Sequence, residues 1–432
     1  MIRHSRVAVF AVGLLLCPTL SAAEFVPLPE GEAPFTALIQ DTAAFQSSAT
    51  TGDAADTLRR DQRAITRRWL QAFVEKTPPD FLSWPTEADL FVDKPALPGA
   101  ERRSFPGPPV ITNSERLAIS HGGTGGPLIH FIHYNRALAG YLRKEQLDQP
   151  NATTNRHREA RPLPSLPADA VAIMTAWWPI AGDRDTPIPV WNPGQRHRSQ
   201  GANSYLNWPE IALLSGDNEA SRNADPVAQF AGRRIDPSRR LPPNTLYRTP
   251  LSRQQSLQLM QSPTFAMAAT IALGRPLREG DYLGLVGFHF MHAGLDAGIW
   301  GTFWWQPDLD RSNHGVLEEH TPWRHYRGDL TTDPIYPREP DGGPNICFNP
   351  WFDAVFTDSG EGNGLRANCM SCHLRAGYPA QGATEVTRGR PNALPTLPGR
   401  LGTQGLWSIA HGHQRWIAGE TKPVDNRDSV SQ

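Results

Sequence analysis

The chain has 432 residues, with 42 Lys and Arg against 43 Asp and Glu, for a formal charge of −1. So even a balance carries no electrostatic footprint for nucleic acid or for an acidic surface. The length predicts two or three domains or one large one, and 41 Pro and 37 Gly spread along the chain predict long loops rather than repeats.

The first residues read as an export leader. Arg3 and Arg6 supply a basic start, Val7 to Leu16 is apolar throughout, and Ser21-Ala22-Ala23 is a small-residue cleavage site that makes Glu24 the expected mature start. The apolar run is shorter than the roughly 20 residues a bilayer span needs. A bulky Leu16 before Cys17 argues against a lipoprotein site. The expectation is an exported product without a membrane span, released into a bacterial periplasm.

Residues 24–160 read as a helical N-terminal region. Leu58, Ile65, Leu70 and Phe73 recur near helical spacing, which predicts an amphipathic surface helix between about Phe35 and Val74, ended by Pro78-Pro79. Its arginines Arg59, Arg60, Arg67 and Arg68 read as a solvated face. A proline-rich loop follows from Pro95 to Pro109. The glycine cluster from His121 to Pro127 lacks the Gly-Lys-Ser/Thr ending and the Gly-x-Gly-x-x-Gly spacing of phosphate loops, and reads as a turn. A helix is expected from Leu128 to Leu142, with His130 and His133 on one face, either packed or offered to a metal.

Residues 161–340 read as a β-rich body. Ala170 to Trp178 is a strand expected to stop at Pro179. Ile188 to Trp191 is a short strand, Asn203 to Pro209 a short aromatic element, 215–250 a surface excursion, and Gln254 to Leu273 a helix. Asp281 to His292 alternates apolar and small residues after the Glu279-Gly280 turn. Gly298 to Trp305 follows as a second strand, which together predict a hairpin with a connection of about six residues. That register puts His289 and Met291 on one face and His292 on the other. Gly284, Gly287, Gly294, Gly298 and Gly301 would let a flat ligand or another backbone come close.

Residues 341–432 carry the chemistry. Cys369-Met-Ser-Cys372-His373 is the attachment sequence for a c-type haem: two thiols add to the vinyl groups and the histidine becomes the proximal iron ligand. With Cys17 removed in the leader, only Cys347, Cys369 and Cys372 remain. That is too few for a disulfide framework or a cysteine-rich zinc site. Cys347, left over, reads as a buried inert thiol. The expected fold class is α+β: a helical N-terminal region, a mainly antiparallel, sandwich-like β middle, and a C-terminal helical or loop segment holding one covalent haem c.

The set Leu285-Val286-Gly287-Phe288-His289, Trp300-Gly301-Thr302-Phe303 and Cys369 to His373 resembles a group of large secreted monohaem cytochrome c family proteins of unassigned role. Ala170 to Trp178 and Tyr205 to Pro209 match further parts of that pattern. This chain has Trp304-Trp305 where the pattern has a charged pair. The resemblance implies one covalent haem and supplies neither substrate nor catalytic residues.

No methionine follows Met370, so the sixth iron ligand is not a downstream methionine. Candidates are His411 and His413, favoured by the lower cost of closing a short loop, then His289; Met291, His292, His314, His320 and His325 also lie upstream. The expected function is electron transfer in the periplasm with a redox partner protein. The alternatives are a haem-dependent peroxidase or oxidase acting on a small-molecule substrate at an open iron, for which paired tryptophans such as Trp177-Trp178 and Trp304-Trp305 would suit a substrate cleft, or a redox or gas sensor.

Overall fold

The computed structural model describes residues 33–51, 55–90, 128–149, 152–192, 205–217, 229–307, 321–339, 342–343, 345–354, 368–379 and 399–410. The leader, the loop from Pro95 to Pro109, the glycine cluster from His121 to Pro127, and His314, His320, His411 and His413 lie outside these residues. Glu32–Gln432 form one compact unit.

Two helices open it, α1 (Ala33–Thr51) and α2 (Ala55–Val74). The helical spacing buries Leu58, Ile65, Trp69, Leu70 and Phe73 of α2 along one stripe. The two helices are joined by the Trp69 indole, which donates to Thr42 Oγ1 at 3.1 Å. Not all the arginines of α2 are simply solvated. Arg59 donates to the carbonyl of Arg338 at 2.8 Å and pairs with Glu339 at 2.9 Å, tying the helix to a distant loop.

A one-turn helix, α3 (Glu87–Leu90), leads to β1 (Ile129–Tyr134) and then α4 (Arg136–Lys144). Here the expected helix over 128–142 is corrected: Ile129 to Tyr134 is a strand, and Asn135 caps the helix that follows it. Two isoleucines and the aromatic Phe131 and Tyr134 favour the pleated surface. His130 and His133 consequently fall on opposite faces instead of sharing one. After α5 (Ala152–Arg158) come β2 (Val171–Ile180), which runs through Pro179, then β3 (Thr186–Val190) and β4 (Glu210–Leu214).

Among its described residues the 215–250 stretch holds four short strands: β5 (Gln229–Phe230), β6 (Arg233–Arg234), β7 (Arg240–Leu241) and β8 (Arg248–Pro250). The helical segment after Gln254 is two helices, α6 (Arg253–Leu259) and α7 (Pro263–Leu273), with Pro263 starting the second. The hairpin follows as expected: β9 (Tyr282–His292) and β10 (Ile299–Trp305), joined by six residues. β11 (Tyr326–Thr331), α8 (Pro350–Asp353), α9 (Cys369–His373), β12 (Gly377–Tyr378), β13 (Leu401–Gly402) and α10 (Trp407–Ala410) complete the described chain.

The fold is α+β with a helical N-terminal region, as expected. The main sheet is antiparallel in the order β1-β2-β9-β10-β11, with β8 alongside β9. One face carries Phe131, Phe288, Phe290, His292 and Phe303, against which α1 and α2 pack. Trp69 stacks on Phe290 at 5.0 Å, Phe73 lies 4.8 Å from Phe290, and Phe35 lies 5.4 Å from the His292 ring. Gly301 sits opposite Phe290, and a Cβ there would lie 2.2 Å from that ring. At Gly301, then, the space is filled by an aromatic side chain rather than kept for a ligand. The tryptophan pairs are likewise structural: Trp177, Trp178 and Trp305 are buried and Trp304 half-buried, which removes the substrate-cleft argument.

Candidate functional site

The opposite face of the sheet is the one that meets the Cys-x-x-Cys-His helix. Register fixes who stands there, because directly opposed residues share a face. Ile132, Met174, His289, Thr302 and Asp329 form one row across β1, β2, β9, β10 and β11. Above it runs Tyr134, Ala172, Met291, Trp300 and Thr331; below it His130, Ala176, Gly287, Trp304 and Arg327.

The upper row is covered except at Ala172, which is half-buried. Tyr134, Met291 and Trp300 join Leu138 and Leu142 of α4, Met370 of α9, and Leu406 and Ile409 in a second, smaller apolar cluster. The lower row is covered by residues 345–354, where Phe352 stacks on His130 at 5.2 Å and Asn349 donates to Thr302 Oγ1 at 2.7 Å and to the Phe303 carbonyl at 2.9 Å. Between these covers Ile132, Met174 and His289 keep accessible surface, although β2 and β9 are interior strands of the sheet. A half-buried row in the middle of a covered sheet marks a gap in the cover.

His373 stands at that gap. The helix α9 is anchored by Asn368, which is buried and donates to Thr331 Oγ1 at 2.9 Å and to the carbonyls of Asp333 and Asn345, while its Oδ1 accepts from Met370 N at 2.9 Å. Met370 is fully buried, so the helix is fixed by its second residue. The His373 ring packs on Trp300 at 4.4 Å, and its Nδ1 lies 2.8 Å from the carbonyl oxygen of Gly405. A carbonyl can only accept, so Nδ1 carries the proton and Nε2 keeps its lone pair. Among the described residues Nε2 takes no hydrogen bond. Burial holds the imidazole below its ordinary pKa, against a smaller upward pull from Gly405, so the ring is neutral near pH 7. A neutral imidazole with a bonded Nδ1–H and an open Nε2 is what an iron ligand requires.

The carbonyl depends on Gly405. Its φ is +84°, and a Cβ there would lie 2.5 Å from the Trp300 ring. Side-chain bulk at 405 would collide with the same indole that supports His373.

His289 is the second histidine of the gap. Its ring lies 3.9 Å from that of Phe352, and among the described residues neither ring nitrogen has a hydrogen-bond partner. Burial, and then the nearby His373 and His130, push its pKa well below the usual value. It is neutral near pH 7. Burial also takes His130 down to about 3. Met291 and His292 are directed elsewhere: Met291 lies in the sealed cluster, and His292 Nδ1 accepts from Gly294 N on the helix-covered face.

Cys369 and Cys372 both lie in α9; the side chain of Cys372 is outside the described residues. Cys369 Sγ approaches Cys347 Sγ at 2.6 Å. Cys347 is buried as expected, but the expectation that it has no intramolecular partner is corrected: it faces another thiol, brought there by the segment that crosses the sheet before α8. Cys347 is held above its ordinary pKa by burial, then by Cys369 and by Asp329 and Asp353. Asp353 is itself pushed up to about 7, chiefly by burial, its neighbour Asp329 adding to the rise and a bond from Asn349 N opposing it.

Sequence reasoning missed Met174, Asn368 and Gly405. Met174 meets His289 only through strand register, and Gly405 meets His373 only through the fold. Among the described residues no group of three or more His, Cys, Asp or Glu converges as a metal cage. No helix among them is long and apolar enough to cross a membrane. No family profile, characterised protein or solved structure matches the chain.

Proposed function

We propose that the chain is an exported, periplasmic single-haem c-type cytochrome that transfers electrons, with haem c attached through Cys369 and Cys372 and held by His373. The observation that carries this reading is the state of His373: in a Cys-x-x-Cys-His helix, its Nδ1–H is bonded to Gly405 and its Nε2 is left open beside a gap in the sheet's cover. The residues present fit the group. Half-buried Ile132 and Met174 offer apolar surface between the buried rings of Trp300 and Phe352, and His289 offers a neutral imidazole with no hydrogen bond among the described residues.

When bound, haem supplies a one-electron couple. The chain's own part would be to hold His373 in one neutral tautomer and to offer His289 as a further iron ligand. Among the described candidates His289 is favoured, since it shares a sheet face with the Trp300 on which His373 packs; His411 and His413 stay candidates outside the described residues. The cost of closing a long loop, which had favoured the nearer histidines, is offset by folding of the sheet itself. The leader-like start and the resemblance of the Leu-Val-Gly-Phe-His and Trp-Gly-Thr-Phe stretches support export and membership of the secreted cytochromes.

Purified from a host that attaches haem c, the protein is expected to show covalent haem by mass and a low-spin six-coordinate spectrum unchanged by CO. Covalent haem that survives a double Cys369→Ala/Cys372→Ala change would sink the attachment site. A high-spin iron that binds CO readily would favour the gas-sensing or oxidase alternative over the carrier.

A further inference from the structure

We infer that Cys347 and Cys369 form a disulfide in the haem-free exported chain. Their sulfurs lie 2.6 Å apart. Unbonded carbon atoms rest at about 3.5–4.0 Å and sulfur is larger, so this spacing lies between non-bonded contact and the roughly 2.0 Å of an S–S bond. The approach is built by two anchored segments. Asn349, fully buried, fixes the Cys347 side through Thr302 and the Phe303 carbonyl. Asn368, adjacent to Cys369, fixes the other through Thr331, Asp333 and Asn345. The pair is thus positioned by the sheet that both segments cross.

In an oxidising compartment the reaction is a thiol–disulfide exchange with a protein or small-molecule disulfide. The Cys347 and Cys369 thiols lose two electrons and two protons, an S–S bond forms between them, and the acceptor's disulfide becomes a dithiol. Reduction by a dithiol reverses it. The disulfide would keep Cys369 from closing on Cys372 and from adding to a haem vinyl group until it is reduced. The disulfide rests on the export proposed above, and its consequence for haem attachment rests on the haem reading as well.

The test is made on the full chain exported in a host without haem attachment. Free thiols are alkylated under denaturing conditions without reductant, and the digest is weighed. Trypsin cuts after Arg366 and Arg375, so Cys369 and Cys372 share the peptide 367–375, and fragmentation assigns the linked sulfur. The expected result is this peptide joined through Cys369 to the one carrying Cys347, with Cys372 alkylated, and complete loss of the linked mass in Cys347→Ser or after dithiothreitol. Three alkylated cysteines, or a Cys369–Cys372 or Cys347–Cys372 link, would overturn the inference. The two readings separate cleanly. Haem on both motif cysteines, with a haem-free pool that never shows the link, rejects the disulfide alone. A linked pair that after reduction still takes no haem from an attaching host rejects the haem reading alone.

Discussion

His289 stands on an interior strand as a half-buried, neutral imidazole that no described residue hydrogen-bonds, so its ring nitrogens are open to a ligand. In haem-loaded protein, His289→Ala is therefore expected to turn a low-spin, CO-indifferent spectrum into a high-spin, CO-binding one, while Met174→Leu leaves it unchanged. If the optical spectrum of His289→Ala matches the parent, His289 is not the sixth ligand. A neighbouring carboxyl gives a separate test. Asp353 loses its proton near pH 4 in the unfolded chain but keeps it to about pH 7 when folded. The native state binds the extra proton across that window, so stability falls as pH rises from about 4 to 7. Three pH units correspond to at most about 4 kcal/mol, less to the extent that water reaches the group. Asp353→Asn, which can still accept from Asn349 N, is expected to flatten the dependence and to raise stability at pH 8 in urea titrations. An unchanged slope between pH 4 and 7 would contradict the assignment.

At the scale of elements, what was legible followed from periodicity that only one structure satisfies. Asp281 to Trp305 alternates strictly enough, with Gly298 in the connection, that the hairpin and the faces of His289, Met291 and His292 could be read directly. Ile129 to Tyr134 could not, because two histidines three apart are compatible with a helix face as well as with opposite sides of a strand. The deciding residue was Asn135. Its Oδ1 accepts from Leu138 N and from Val171 N, each at 3.0 Å, and its Nδ2 donates to the Asp169 carbonyl at 2.7 Å. The cap therefore also clips β1 to β2. Removing an N-cap alone costs about 1 kcal/mol, and each buried group left unpaired adds about 1–3 kcal/mol. Asn135→Ala is expected to lose about 2–4 kcal/mol in denaturant unfolding; a loss below 1 kcal/mol would mean that water replaces the clip.

For the whole molecule, the site is where distant parts of the chain meet. Met174, His289, Cys347, His373 and Gly405 come from five segments, and no local pattern reports that they converge; only the histidine-bearing motif and the alternating hairpin were visible beforehand. The two apolar clusters differ in what they hold. The larger one joins α1, α2, the main sheet and the β3-β4 strands, whereas the smaller one holds α4, α9, Leu406 and α10 over the upper row. Local stability follows the buried contacts a segment makes. If haem binds as proposed, the main sheet would form without it, while the motif helix and the Gly405 turn, joined to the sheet through Trp300, Met370 and Asn368, would lose a shared ligand in its absence. Cys369→Ala/Cys372→Ala, which also removes the Cys347 link, is expected to keep the far-ultraviolet circular dichroism of the parent. In hydrogen exchange it should lose protection at residues 369–379 and 399–410, with β2, β9 and β10 protected as before. Loss of protection across β9 would show instead that the haem segment is part of the cooperative core, and that the sheet does not form its gap before the motif arrives.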